Sequence, residues 1–436
     1  MAGAIRFGAS VSVSGRNALQ GRQVLAGLRA WVEAVNAGEG LRVHGAGARA
    51  PVRLVYYDDA SSPARAAANA ERLLDADAVE VLIGPYASDL TRAVLPVARR
   101  RGRVLWNHGG ASDDIHTEGG RAVGILTPVS RYLGGLIELA RSLDRDAARV
   151  ALLHRRGSSF GRQAALGVGA AASDAMFVAD VLTYSSLAGE LPGVISRLER
   201  QRPDVVISAG SFDDEVLLAR ALVESGLRAN AIGLAAAAMQ EFPHALGTHA
   251  EGFLGPSQWE PRLACVPDFG PGPDEATEGI RAQGAPHDYL AAQAYAACLI
   301  AQCCLEEAGA DDGSLWRAAC ALDCSTFFGR FLSIPQRACR SGTRWVLVQW
   351  WWGRKLVVWP PAVSQARPLY PRRRRRERGP IDRCPSGDLE KKQKPTEDVG
   401  IGAHAMLWFG WGDDPFSALL SEPVRSPGER EVAVRS

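Results

Sequence analysis

The chain is short of several features at once, and each shortage removes a class of protein. Its eight cysteines all lie from Cys265 onward, so the first 264 of the 436 residues hold none. Cys298, Cys303, Cys304 and Cys320 stand in Ala-rich helical surroundings, where a free thiol reads as a small buried hydrophobe. A metal site would need tighter paired spacing with histidine beside it, and that pattern is missing. Lys and Arg number 50 against 48 Asp and Glu, a formal net charge of +2, which gives no general attraction to nucleic acid or to anionic membranes. No apolar run reaches the roughly 18 residues that span a bilayer. The start, Met1-Ala2-Gly3-Ala4, has neither the basic opening nor the apolar core of a secretory leader. From this, an intracellular protein is expected, or a start placed downstream of a lost leader.

The composition that remains is ordinary and globular: 47% apolar and 22% charged. The length calls for two or three domains. Strands and amphipathic helices alternate regularly. Strands are expected over 5–13, 51–58, 79–83 and 104–107, with helices over 14–35, from Pro63, and over 89–101 between them. This βαβαβαβ series implies a parallel sheet covered on both faces. A second series repeats it, with strands over 149–154, 176–184, 204–209 and 230–234 and helices over 159–172, 190–200 and 213–225. Two doubly wound units suggest two lobes with a cleft at the carboxyl ends of their strands, where open α/β sheets bind ligands. Beyond Pro256 a Pro/Gly-rich connection over 261–273 leads to a long Ala-rich helix over 286–308. A strand pair over 345–349 and 355–358 then turns at Gly353-Arg354. The chain loses its rhythm after Pro360. Five arginines, Arg372 to Arg376, and the run Lys391-Lys392-Gln393-Lys394 sit among Pro, Gly and acids, which reads as a disordered, solvated tail rather than a nucleic-acid patch.

The most informative stretch is Val79-Glu80-Val81-Leu82-Ile83-Gly84-Pro85-Tyr86-Ala87-Ser88-Asp89. A β-branched run breaks at Gly84-Pro85, and Ser88 is expected to cap the following helix. The orphan N–H groups and positive dipole end of that helix suit an anion such as a carboxylate. No phosphate-loop lysine follows, and no nucleophile is paired with a base. The site therefore reads as one that holds a small molecule rather than transforms it. The turn Asn107-His108-Gly109-Gly110-Ala111-Ser112 is either a second ligand-facing loop, its glycines bringing backbone N–H groups close, or an ordinary βα turn. Gly157-Ser158-Ser159-Phe160-Gly161 and Gly210-Ser211-Phe212-Asp213 each follow a strand and put an aromatic ring at a helix start, to cover a ligand or to pack in the core. Other matches dissolve. Gly167-Val168-Gly169 lies inside a helix, and His244 and His249 lack zinc-helix spacing. Asp58-Asp59 and Asp213-Asp214 read as caps and solvated charge.

Taken in order, these residues resemble the type I periplasmic binding protein family, in its branch of branched-chain amino-acid (Leu/Ile/Val-type) receptors of ABC importers. The likeness covers 4–360. It is carried by Ser14-Gly15, Tyr57-Asp58-Asp59 with Pro63, Ile83-Gly84-Pro85-Tyr86-Ala87-Ser88, Trp106-Asn107-His108-Gly109-Gly110-Ala111-Ser112 and Phe160-Gly161. Gly252-Phe253-Leu254-Gly255-Pro256-Ser257-Gln258-Trp259, Thr326-Phe327-Phe328-Gly329, Val346-Leu347-Val348-Gln349-Trp350 and Val357-Val358-Trp359-Pro360 complete it. The resemblance implies an α/β fold of two doubly wound three-layer α/β/α lobes, a clamshell joined by hinge crossovers near 126–130, 256–261 and 324–331. One lobe would hold 4–127 with 261–325, the other 128–260 with 326–360, and a disordered tail 361–436.

It also implies a non-catalytic receptor without cofactor or metal, holding an amino acid, an amide or a small carboxylate for an ABC permease. The place would be periplasmic or at the cell surface, with the cytoplasm left open by the missing leader. Its rival is a cytosolic ligand-sensing regulator built on the same clamshell. Ligand-binding residues carried over are Tyr86, Ser88, Gly109, Gly110, Ala111, Ser112, Phe160 and Phe212. Ala111 falls where relatives often carry Thr, with Ser112 as its substitute, and the two Phe fall where Tyr is common. Many amino-acid receptors place an acid after the strand ending near Gly233; here the segment is Leu234-Ala235-Ala236-Ala237-Ala238.

Overall fold

The apolar and β-branched runs form strands that sort into two sheets, each opening toward the other at its carboxyl edge. The computed structural model describes residues 3–116, 121–263, 266–286, 288–333, 340–341 and 345–372. All of these belong to one contact unit, residues 1–381. The first sheet holds β1 (Ile5–Val11), β2 (Val52–Asp58), β3 (Val81–Ile83), β4 (Leu105–Asn107) and β5 (Ala122–Gly124) in the order β2-β1-β3-β4-β5, with every pair parallel. The central strands β3 and β4 are only three residues long and wholly buried, as unbroken apolar runs in a parallel sheet should be.

The second sheet takes β6 (Arg149–Arg155), β7 (Val178–Tyr184), β8 (Val205–Ala209), β9 (Ala231–Leu234) and β10 (Leu254–Ser257). A small antiparallel set, β11 (Asp323–Thr326), β12 (Gly329–Ser333) and β13 (Arg340–Ser341), follows, and then β14 (Val346–Trp351) and β15 (Arg354–Trp359). The order β15-β14-β10-β9-β8-β6-β7 is parallel from β7 to β10, and the β14–β15 hairpin is added antiparallel on the β10 edge. That hairpin turns at Trp352-Gly353, both with positive φ, one residue earlier than the sequence suggested.

Helices cover the sheets where periodicity put them, among them Ala18–Ala37, Pro63–Asp75, Ser159–Asp174 and Phe212–Ser225. The Ala18–Ala37 helix packs on β1 through Trp31, whose ring lies 4.4 Å from that of Phe7. Behind it the Tyr289–Ala308 helix approaches to backbone contact, since a Cβ on Gly27 would sit 2.1 Å from the Ala291 carbonyl oxygen. Asp59 departs from the solvated charge expected of it. It is fully buried and collects the hydroxyls of Ser10 and Ser12 and the Ser61 N–H, fastening β1 to the turn after β2, and burial raises its pKa.

The expected tail begins too early at 361. Gln365 exchanges hydrogen bonds with Val357, Leu369 with the Gln349 side chain, and Tyr370 reaches Asp144. Arg372 donates its N–H to Asn230 and stacks 4.2 Å from the Phe253 ring. These polar and Pro-rich residues pair with the β14–β15 hairpin and with Asp144, Asn230 and Phe253 of the same lobe, which composition could not reveal. The disorder expected beyond 372 lies outside the described residues. No described helix is long and apolar enough to cross a membrane. Cys298, Cys303, Cys304 and Cys324 are free thiols, and among the described residues no cluster of His, Cys, Asp and Glu could hold a metal.

Candidate functional site

A cleft of about 350 Å³ opens between the carboxyl ends of the two sheets. On the first lobe the chain leaves β3 through Gly84-Pro85 and bridges Tyr86 to Gly109 in the next loop. The helix then starts at Ser88, not at Asp89. The cap position falls on Ala87 (φ 81°), which makes no side-chain cap bond, so Ser88 is not the cap it was expected to be. Its hydroxyl oxygen instead accepts the Ser112 N–H at 3.1 Å, which leaves its proton to be donated elsewhere.

The Gly109-Gly110 turn also works differently from expectation. Both N–H groups are directed at Asn107 Oδ1, at 3.2 and 2.8 Å, and Asn107 Nδ2 donates to the Gly110 carbonyl at 2.7 Å. These glycines therefore do not offer their N–H groups to a ligand. Gly109 serves close packing, since a Cβ there would lie 2.5 Å from the Pro85 carbonyl.

Of the eight residues carried over from the resemblance, Tyr86, Ser88, Gly109, Ala111, Phe160 and Phe212 line the cleft. Gly110 and Ser112 lie behind the wall. Ser112 is fully buried, its hydroxyl 2.7 Å from Asp114 and 2.7 Å from the Ser159 hydroxyl of the other lobe, so it does not stand in for a ligand-facing Thr. His108 is likewise fully buried behind the wall, and burial pulls its pKa down to about 4. Burial pushes the Tyr86 phenol up to about 12, which keeps it a neutral hydrogen-bonding group.

On the second lobe, Ser158 and Ser211 cap their helices by accepting the N–H groups of Gly161 (3.0 Å) and Asp214 (3.3 Å). Each cap is followed closely by the cleft-lining ring, Phe160 or Phe212. Ala235 and Ala236 line the floor with methyl groups, where many amino-acid receptors were expected to carry an acid. Glu215 lies just beneath, fully buried, accepting the N–H groups of Gly210 (2.8 Å) and Ala236 (2.5 Å), and burial pushes its pKa up to about 8.

The charges of the lining are one-sided. Arg16, Arg155 and Arg156 contribute cations, while the single lining carboxylate, Asp89, stands 3.9 Å from Arg16. Sequence reasoning missed these arginines, the side chains of Met239 and Tyr289, and four amides, Asn17, Gln20, Gln258 and Gln293. One of them left a signal: Gln293 is a lone amide within the apolar run Leu290-Ala291-Ala292-Gln293-Ala294-Tyr295.

Where the chain passes between lobes, the Thr127 N–H reaches Gln258 Oε1 at 3.2 Å, and the Trp259 indole donates to the Phe327 carbonyl at 3.0 Å. Nearby, Lys355 Nζ lies 3.0 Å from Glu260 and 2.9 Å from Asp288, all three buried. Burial opposes the lysine charge, but the two carboxylates outweigh it and hold its pKa above the usual value.

A sequence model described as periplasmic binding protein matches residues 4–333. The fold is also similar to solved structures. The leucine-binding protein LivK of Thermotoga maritima MSB8 aligns with a TM-score of 0.72 at 18% identity, over 81% of this chain and 97% of that one. LivJ of Streptococcus pneumoniae, a branched-chain amino acid transporter substrate-binding protein in complex with isoleucine, gives 0.67 at 18% identity over 81% and 97%. An ABC transporter solute-binding protein of R. palustris in complex with benzoate gives 0.67 at 16% identity over 81% and 95%.

Proposed function

Because the chain belongs to the periplasmic binding protein family, we propose that it is the non-catalytic receptor of an ABC importer. In this reading it works outside the cytoplasmic membrane and delivers a small carboxylate-bearing solute to a permease. The lobes comprise 4–127 with 261–325 and 128–260 with 326–360, the second extended to 372 by the packing of its last residues. They close by hinge motion at the three crossovers near 126–130, 256–261 and 324–331.

The observation that carries the reading is the one-sided lining of the cleft, with three arginines and one carboxylate that already faces an arginine. The ligand carboxylate meets the Ser88 hydroxyl at the amino end of the Ser88–Arg100 helix, with Tyr86 and Ala111 beside it, while Phe160 and Phe212 close over its body. An ammonium would find no free acid on the floor, where Ala235 and Ala236 stand. A carboxylate without an amino group is therefore preferred to an α-amino acid. The benzoate held by the R. palustris relative is a ligand of that kind.

The test is calorimetric titration with leucine, with 4-methylpentanoate (leucine without its amino group), with the corresponding neutral amide, and with benzoate. Carboxylates lacking an ammonium should bind best, and Ser88→Ala should weaken the best of them by about tenfold to a hundredfold through loss of a charge-assisted hydrogen bond. Binding of the neutral amide as tightly as the carboxylate would sink the reading.

A further inference from the structure

Gln293 is the anomaly of the Tyr289–Ala308 helix. It is fully buried, it lines the cleft, and neither its Nε2 nor its Oε1 has a hydrogen-bond partner among the described residues. Buried amides are nearly always paired, because leaving one unmade costs its full desolvation. Exchanging the oxygen and nitrogen of this amide changes nothing, since both ends are unmatched. Tyr289 sits one turn earlier on the same helix face and also lines the cleft, so the face that carries Gln293 is the face turned to the ligand space.

Two further amides share the deficit. Asn17 Nδ2 and Gln20 Oε1 lack partners, both residues line the cleft, and both are more than nine-tenths buried. Gln20 Nε2 reaches only the Met239 sulfur, at 4.0 Å. The unmet groups thus include donors and acceptors together. A cation would supply donors only and would face Arg16, Arg155 and Arg156. A second carboxylate would supply acceptors only. What satisfies both kinds is a neutral group that donates and accepts.

We infer that Gln293, with Asn17 and Gln20, recognises a hydroxyl or carboxamide on the ligand, separate from its carboxylate, and that this contact sets the specificity of the cleft. The inference rests on the carboxylate reading above and adds the second recognition point. A site built to hydrogen-bond such a group rejects analogues that lack it, because its own buried amides are then left unpaired. An apolar pocket discriminates far less.

The experiment is titration of the full chain with benzoates carrying a methyl, hydroxyl or carbamoyl group at position 3 or 4. In the wild type, a hydroxyl- or carbamoyl-bearing benzoate should bind at least about tenfold tighter than its methyl counterpart. The hydroxyl and carbamoyl arms distinguish the two neutral groups. In Gln293→Leu the ratio should fall to about one. Gln293→Met, unbranched and flexible like the original, serves if the leucine variant melts early, and the wild-type arm needs no variant at all. Equal binding of methyl and polar probes by the wild type, or an unchanged ratio in the variants, overturns the inference and leaves the carboxylate reading standing. Failure of every benzoate and of 4-methylpentanoate to bind overturns both.

Discussion

The two rims of the cleft reach similar shapes by different wiring. On the first lobe, the loops after β3 and β4 hold each other: Tyr86 bridges Gly109, Ala87 N–H reaches the Gly109 carbonyl, and Ser112 N–H reaches Ser88. Asn107 closes the second of these loops from within its own turn. On the second lobe each helix start is capped from within its own turn, Ser158 and Ser211 accepting the N–H three residues ahead, while Ser159 reaches Ser112 of the first lobe and Glu215 ties Gly210 to Ala236. The first rim is one preassembled surface, tied across its two loops and within the second of them. The second is two independent helix starts that carry rings and arginines. On the proposed reading the first rim fixes the ligand's charged end, and preassembly suits that task, since a rigid wall costs little to organise at binding.

The largest expected effect tests the first rim. Asn107→Leu strips partners from two buried N–H groups and a buried carbonyl, so it should destabilise the fold by about 3 kcal/mol and abolish ligand binding together with it. Denaturant unfolding read beside calorimetry checks this, and a loss below 1 kcal/mol would mean the loops hold without the asparagine. The next effect belongs to the second rim, depends on pH, and is the smaller of the two within any one pH unit. Glu215 has its pKa pushed up to about 8 from an ordinary 4.5, so the folded chain keeps a proton that the unfolded chain has released. Stability should therefore fall as pH rises from about 4.5 to about 8, by up to about 1.4 kcal/mol per pH unit, and level off above that window. Melting temperature against pH should lose this component in Glu215→Gln, and an unaltered slope would place its origin elsewhere. The smallest effect is Ser158→Ala, a cap loss worth about 1 kcal/mol and confined to its own helix start. If it costs as much as Asn107→Leu, the contrast between the rims is wrong.

Much of the scaffold was readable in the residues, because long periodic segments announce themselves. The parallel strands of both sheets follow runs such as Val81-Leu82-Ile83 and Val205-Val206-Ile207, whose burial on both faces leaves no alternation to misread. Short or interrupted elements escaped. Strand β5 is three residues, and the Pro273–Ala282 helix begins inside what reads as a Pro/Gly-rich connection. At the cleft, proximity in sequence located the lining Tyr86, Ser88, Phe160 and Phe212 but not their partners. That Ser112 would be spent on Asp114 and Ser159, or that the Gly109 and Gly110 N–H groups would turn inward to Asn107, depends on contacts between loops that no local pattern encodes. Gln293 was legible in principle as an amide stranded in an apolar helix, and only its position over the cleft gives it meaning.

The backbone contact between Gly27 and Ala291 has a consequence for how the chain is made. Synthesis delivers β1 to β5 and then β6 to β10 before the helix that covers Ala18–Ala37 has left the ribosome. Until residues 289–308 emerge, the apolar side of that early helix stays uncovered, and the β10 edge stays open until β14 arrives. Neither lobe can finish first, so the nascent protein carries two incomplete cores through most of its translation. Such a species exposes apolar surface and an unpaired strand edge while it waits, and a topology that joins distant segments slows folding whatever the stability of the final state.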